Sequence, residues 1–323
     1  MSGRHEKEMK INELIERQLM GMPPIITDYY YSLISSGKTY TTAKNYIYHI
    51  EQFIKFLYKN NCPNDFYINV KSTNINRYIA SLQMAVSTKE GKKISDSYKT
   101  LSWSSLKSFF DFLVPEYIDK NPVAYTKRPR MRDNPEVTFL NEKEMMDIFE
   151  NVKKKSLPNL TNRDLCILKI GFATGLRVSA ISQLNIEDID FKNNRIKVIE
   201  KGHKECYVLI GENLKAQIME WLKDRDKYFD HSNNNALFLS QENSRISVRS
   251  IERMIKKYAD VVDKKVTPHV MRHSCATNLY EKTGDIYLCA KQLNHKNVST
   301  TQRYAELSKD KQKQAANILD NLI

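Results

Sequence analysis

The chain has 323 residues, of which 41% are hydrophobic and 28% charged, enough for two ordinary domains with a core each and too charged for a membrane-embedded protein. Lys and Arg number 51 against 38 Asp and Glu, a net charge of +13 that favours a polyanionic partner such as nucleic acid; residues 1–136 and the remainder are both net basic. The five cysteines, Cys62, Cys166, Cys206, Cys275 and Cys289, are odd in number, widely spaced and without a C-x-x-C pair, which disfavours a disulfide framework or a thiolate zinc site and fits a reducing cytosol.

The first residues carry charges of both signs without the apolar stretch of a secretory signal, and every apolar run stops far short of the ~20 residues of a membrane span. A soluble, cytoplasmic protein is expected. Residues 1–20 form an N-terminal extension in which 8–20 have helix-forming composition. Helices follow at about 24–35, at 41–60, where Ile47, Ile50, Ile54 and Leu57 recur at spacings of three, four and three, and at 73–86. Trp103, Leu106, Phe110 and Leu113 repeat that spacing, so residues 21–126 read as a four-helix bundle. Asn121-Pro122-Val123 stops its last helix, and the basic, proline-bearing segment 127–137 reads as a linker, either a strap along phosphates or a solvated hinge.

A second domain spans 138–307. Asn141 and Glu144 stand in capping-box spacing at the start of a helix to about Asn151, and a further helix runs from Asn162 to Thr174. Arg195–Glu200 and Cys206–Ile210, rich in Val, Ile and Tyr, bracket Lys201-Gly202-His203-Lys204 as two strands and a tight turn, and from Val248 the chain returns to helix. Residues 308–323 read as a tail helix whose apolar residues Ala315, Ala316, Ile318, Leu319 and Leu322 serve intramolecular packing or a neighbouring subunit.

Five short patterns occur in fixed order: Ala173-Thr174-Gly175-Leu176-Arg177, Lys201-Gly202-His203-Lys204, His269-Val270-Met271-Arg272, Leu293-Asn294-His295 and Thr301-Gln302-Arg303-Tyr304. Together they resemble the active site of the tyrosine recombinases, the integrase-like enzymes that cut and rejoin DNA through a tyrosine. By motif the resemblance covers about residues 140–310; the helical first domain matches the family's core-DNA-binding domain by length, helix count and position. Two positions depart from the common pattern. Ala180 stands three residues after Arg177, where an acidic residue is frequent, and Asn294 stands where glycine usually precedes the histidine.

The residue types suit phosphodiester displacement, which passes through a more highly charged pentacoordinate phosphorus. Arginine presents a planar, permanently charged fork to non-bridging oxygens, so Arg177 and Arg272 are the candidates for a clamp. Tyr304, with a free pKa of ~10, needs a base or a strongly positive site to act as nucleophile. His269 and Arg272, three apart after Thr267-Pro268, project from one side of a helix, which lets His269 take the tyrosine proton while Arg272 holds the phosphate. His269 and His273 are also an i,i+4 pair of the zinc-binding kind, but no glutamate lies between them and Arg272 opposes a cation.

The resemblance implies a mainly α protein with a small β-sheet in its second domain, closing as a C-shaped clamp on double-stranded DNA. It implies that Arg177, Lys201, His269, Arg272, His295 and Tyr304 are catalytic, with Lys201 rather than Lys204 as the acid that protonates the departing 5′-oxygen. It further implies a 3′-phosphotyrosyl intermediate, no metal, ATP or other cofactor, a homotetramer on two recombination sites, and a nucleoid-associated enzyme of the chromosome-dimer-resolution or mobile-element kind. The rival readings are a type IB topoisomerase, a catalytically silent DNA-binding accessory protein and a metal-dependent nuclease.

Overall fold

A computed structural model describes residues 3–59, 66–85, 93–130, 138–199, 205–230 and 234–294. The chain divides into two compact units, Met1–Asn134 and Pro135–Ile323. The division falls within the segment 127–137.

Unit 1 contains α1 (Gly3–Leu19), α2 (Pro24–Ser35), α3 (Tyr40–Lys59), the single turn α4 (Phe66–Asn69), α5 (Ser72–Met84) and α6 (Asp96–Leu113). Helices α2, α3, α5 and α6 are the four expected from periodicity. The segment set apart as an N-terminal extension is different: α1 packs on α2 and α3, and Ile15 and Leu19 are buried in the same core. Among its described side chains the apolar face consists of Ile11, Ile15 and Leu19, one residue per turn among charged neighbours, so its composition hides its membership of the bundle. Helix α6 begins at Ser95, whose hydroxyl accepts from the Tyr98 amide, and its inward face presents Leu106, Phe109, Phe110 and Leu113.

Unit 2 contains α7 (Glu142–Lys155), α8 (Pro158–Thr174), α9 (Val178–Gln183), β1 (Ile189–Asp190), β2 (Arg195–Ile199), β3 (Glu205–Leu209), α10 (Glu212–Tyr228), α11 (Val248–Tyr258), α12 (Pro268–Thr283) and α13 (Ile286–Gln292). The capping box at Asn141 and Glu144 forms as expected, with both bonds at 2.8–2.9 Å. Helix α8 is buried along most of its length because α7, α9, α10, α11 and α12 pack against it. The antiparallel sheet has the order β1-β2-β3, and Val198 pairs with Cys206 and Ile199 with Glu205. Helix α10 has no counterpart among the expected elements. Gln217 and Arg225 occupy buried positions on it alongside Leu214, Ile218 and Trp221, and these polar residues interrupt the apolar stripe that would announce the helix. Among the described residues no helix is long and apolar enough to cross a membrane.

Candidate active site

Three chain segments converge where α8, α12 and α13 end or begin. Helix α8 stops at Gly175, which has φ 63°, a left-handed conformation that glycine adopts without a Cβ penalty. A Cβ there would meet Leu293 Cδ2 at 2.4 Å and Cys275 Sγ at 3.3 Å, so the position requires glycine for both its backbone and its neighbours. Two residues later, Arg177 is the N-cap of α9; its carbonyl accepts from the amides of Ala180 and Ile181, and its side chain is exposed. Ala180 is half-buried on α9 and offers no carboxylate to that arginine.

Helix α12 starts at Thr267, whose hydroxyl accepts from the Val270 amide, with Pro268 at the first helical position. This start leaves His269 exposed and turns Arg272 inward, 7% exposed. The Arg272 guanidinium donates from Nη1 to the Gly175 carbonyl at 2.5 Å and from Nη2 to the Leu293 carbonyl at 2.6 Å. Both carbonyls cap helix C-termini, α8 and α13, where backbone oxygens have no partner inside the helix and carry the negative end of its dipole. One side chain thus holds the residues leading to Arg177 and those leading to His295 against the helix that bears His269. Beneath it, burial pushes the Cys275 thiol up to about 12, with Arg272 opposing the shift, so this sulfur stays protonated.

Asn294 follows α13 with φ 51°, in the left-handed region that asparagine tolerates better than most residues with a side chain. The departure from glycine therefore preserves the turn. It also adds a contact: the Asn294 amide donates from Nδ2 to Cys206 Sγ on β3 at 2.9 Å.

The structure thus brings the surroundings of Arg177, His269 and Arg272 together. Lys201, His295 and Tyr304, with Lys204, Thr301 and the tail 308–323, lie outside the described residues. The His269 and His273 rings stand 6.5 Å apart between centroids, tilted by 33°. In unit 1, Lys99 and Lys107 on α6 are engaged in ion pairs with Asp96 and Asp111. Gly175 and the Asn294–Cys206 pair are the supporting residues that motif reading passes over. Glycine inside the first pattern was the only signal for the former, and no local pattern pairs Asn294 with a residue 88 positions away.

Residues 138–311 match the model of the phage integrase family. Tyrosine recombinase XerC of Shewanella amazonensis is 34% identical over 215 residues, 64% of this chain and 69% of the relative. Tyrosine recombinase XerC of Escherichia coli is 36% identical over 214 residues, 64% and 68% of the two chains. Among solved structures, the XerH site-specific recombinase bound to palindromic difH substrate in a post-cleavage complex has a TM-score of 0.71 at 21% identity, over 87% of this chain and 81% of that one. A lambda integrase dimer bound to a COC′ core site has a TM-score of 0.65 at 19% identity, over 87% and 94%. At such identities these two structures speak for the fold, while the family match and the curated relatives speak for the kind of enzyme. The chain belongs to the phage integrase family and is a site-specific tyrosine recombinase.

Proposed function

We propose that this enzyme exchanges strands between specific sites in double-stranded DNA through a 3′-phosphotyrosyl intermediate, with Arg177, Lys201, His269, Arg272, His295 and Tyr304 as its catalytic set. The observation that carries the reading is the position of Arg272, which joins the C-termini of α8 and α13 beside His269. Tyr304 Oη attacks the scissile phosphorus and passes its proton to His269. The P–O5′ bond breaks, and the Lys201 ammonium gives a proton to the departing oxygen, leaving a free 5′-hydroxyl. Arg177 and Arg272, with His295, neutralise the charge that develops on the non-bridging oxygens. The bond energy is retained in the protein–DNA ester, so the reversal on a partner strand needs neither ATP nor a metal ion. The net charge of +13 supports a phosphate-rich partner. A homotetramer on two DNA sites is the assembly in which both exchanges occur.

The test is a nicked suicide duplex carrying sequence from the flanks of the source gene, incubated in EDTA with wild-type protein and with Tyr304→Phe, and resolved on a denaturing gel. A slow-migrating protein–DNA adduct is expected for wild type and not for the variant. A mobility shift on a native gel without an adduct from wild type would reverse the reading in favour of a silent DNA-binding protein, and an adduct from Tyr304→Phe would displace Tyr304 as nucleophile.

A further inference from the structure

Helix α9 carries Arg177 at its N-cap and has six residues, Val178–Gln183, too few to be stable by themselves. Its position is therefore set by what grips it. Of its side chains Ile181 and Ser182 are buried, and Ala180 contributes a methyl group. A polar hold lies at the end away from Arg177. Arg245 donates from Nη1 to the Ser182 carbonyl at 3.1 Å and to the Leu184 carbonyl at 2.9 Å, and from Nη2 to Asn185 Oδ1 at 2.5 Å. The Ser182 hydroxyl in turn donates at 2.6 Å to the carbonyl of Ile246, the residue after Arg245.

The two carbonyls that Arg245 takes lie at the C-terminus of α9, where backbone oxygens lack a partner inside the helix; Leu184 is the C-cap. The Leu184 carbonyl also accepts from the Leu237 amide at 2.8 Å, and Asn185 forms a bridge with Ala236. Arg245 thus fastens the end of α9 to the segment 235–246, as Arg272 fastens the ends of α8 and α13.

We propose that Arg245 is a positioning residue for Arg177: its guanidinium fork fixes the C-terminus of α9 and so sets the direction from which the N-cap arginine reaches the scissile phosphate. The inference rests on the reading of Arg177 as part of the phosphate clamp. At a rise of 1.5 Å per residue the fork stands only ~9 Å along the axis from the N-cap. Loss of the fork leaves the helix end on the Leu237 and Ser182 bonds, and a tilt there is carried to Arg177. A displacement of about 1 Å at a reacting centre costs on the order of a hundredfold in rate, so a modest tilt has a large effect.

Positioning acts through the Arg177 side chain and vanishes when that side chain is absent, whereas support of the fold does not depend on it. The test is single-turnover cleavage of the suicide duplex by the full-length protein, at concentrations that saturate the DNA, with affinity read separately on a native gel. The proteins compared would be wild type, Arg177→Ala, Arg245→Ala, the double variant, Arg245→Lys and Ser182→Ala.

Arg245→Ala should cleave about tenfold more slowly than wild type with affinity within about twofold, and in the Arg177→Ala background it should change the rate by less than about twofold. Arg245→Lys keeps the charge without the fork and should remain at least about threefold slow. Ser182→Ala, which leaves Arg245 in place and removes one tie at the same end, should lose about threefold, again only where Arg177 is present. If Arg245→Ala fails to fold, Arg245→Lys and Ser182→Ala, each with and without Arg177, decide by the same comparison. The same slowing in both backgrounds, a loss confined to DNA affinity, or a wild-type rate for Arg245→Lys would overturn the proposal. A wild-type rate for Arg177→Ala would remove Arg177 from the clamp and this proposal with it, a result visible in its own lane.

Discussion

The cores of the two units are built on different plans. In unit 1 the interior is a nest of rings: Tyr29, Phe53, Phe66, Phe109 and Phe110 are fully buried, with Tyr29 and Phe109 at 5.3 Å and Phe109 and Phe110 at 5.4 Å between centroids. None of the buried polar side chains described there is an arginine. Among its described residues unit 2 buries three, Arg163, Arg225 and Arg272, and each donates to main-chain carbonyls: Leu239, then Ala236 and Asn234, then Gly175 and Leu293. A helical bundle satisfies its own backbone, so filling volume suffices. A domain whose chemistry stands on helix ends and loops must fix carbonyls that no helix satisfies, and the guanidinium fork does this from within the core.

The contrast predicts where substitutions act. Arg272→Ala removes two charge-assisted hydrogen bonds at ~1.5–3 kcal/mol each, so unit 2 should lose about 3–6 kcal/mol in denaturant titration and the covalent adduct should vanish. A loss below about 1 kcal/mol would break the comparison. In unit 1, Phe109→Ala opens a cavity in the nest of rings and should cost about 3–5 kcal/mol, read from the shift of its unfolding midpoint.

A buried imidazole of unit 1 sharpens the contrast with acid. His49 Nδ1 is 2.8 Å from the Ser102 hydroxyl, and burial lowers its pKa from 6.5 to about 4. Because the folded value lies below the unfolded one, this contribution is complete above pH 6.5. It is lost as pH falls towards 4, by up to ~3 kcal/mol, and His49→Gln should flatten that stretch of the stability profile.

Smaller effects come from the turn beside the clamp. Gly175→Ala forces a Cβ into a φ of 63° and against Leu293, and should cost about 1–3 kcal/mol, with slower cleavage as Leu293 and Arg272 shift. Arg177→Ala, at an exposed N-cap, should leave stability within ~0.5 kcal/mol of wild type while slowing cleavage about 10²–10³-fold. An Arg177→Ala protein that unfolds as readily as Arg272→Ala would show that the two arginines share a structural task.

Local signals account for much of the architecture. The spacing of Ile47, Ile50, Ile54 and Leu57 announces α3, and Asn141 with Glu144 announces the start of α7, because helical periodicity and capping are written within a few residues. The same locality makes the motif around Thr267-Pro268 readable as a helix start with His269 and Arg272 on it. Helices α1 and α10 escape that reading: the first owes its place to a single apolar residue per turn, the second to buried Gln217 and Arg225, whose partners come from elsewhere in the chain.

By itself the sequence determined the helical periods, the strands flanking Lys201, the basic balance and the order of the motifs that mark the family. Only the tertiary structure decided that Arg177 is exposed while Arg272 is buried, and that Arg272 joins Gly175 to Leu293. It alone decided that Asn294, an apparent departure from the family pattern, both keeps its turn and reaches Cys206. These are contacts between residues 21 to 97 positions apart, set by how helices pack around α8, and no periodicity or short pattern encodes them.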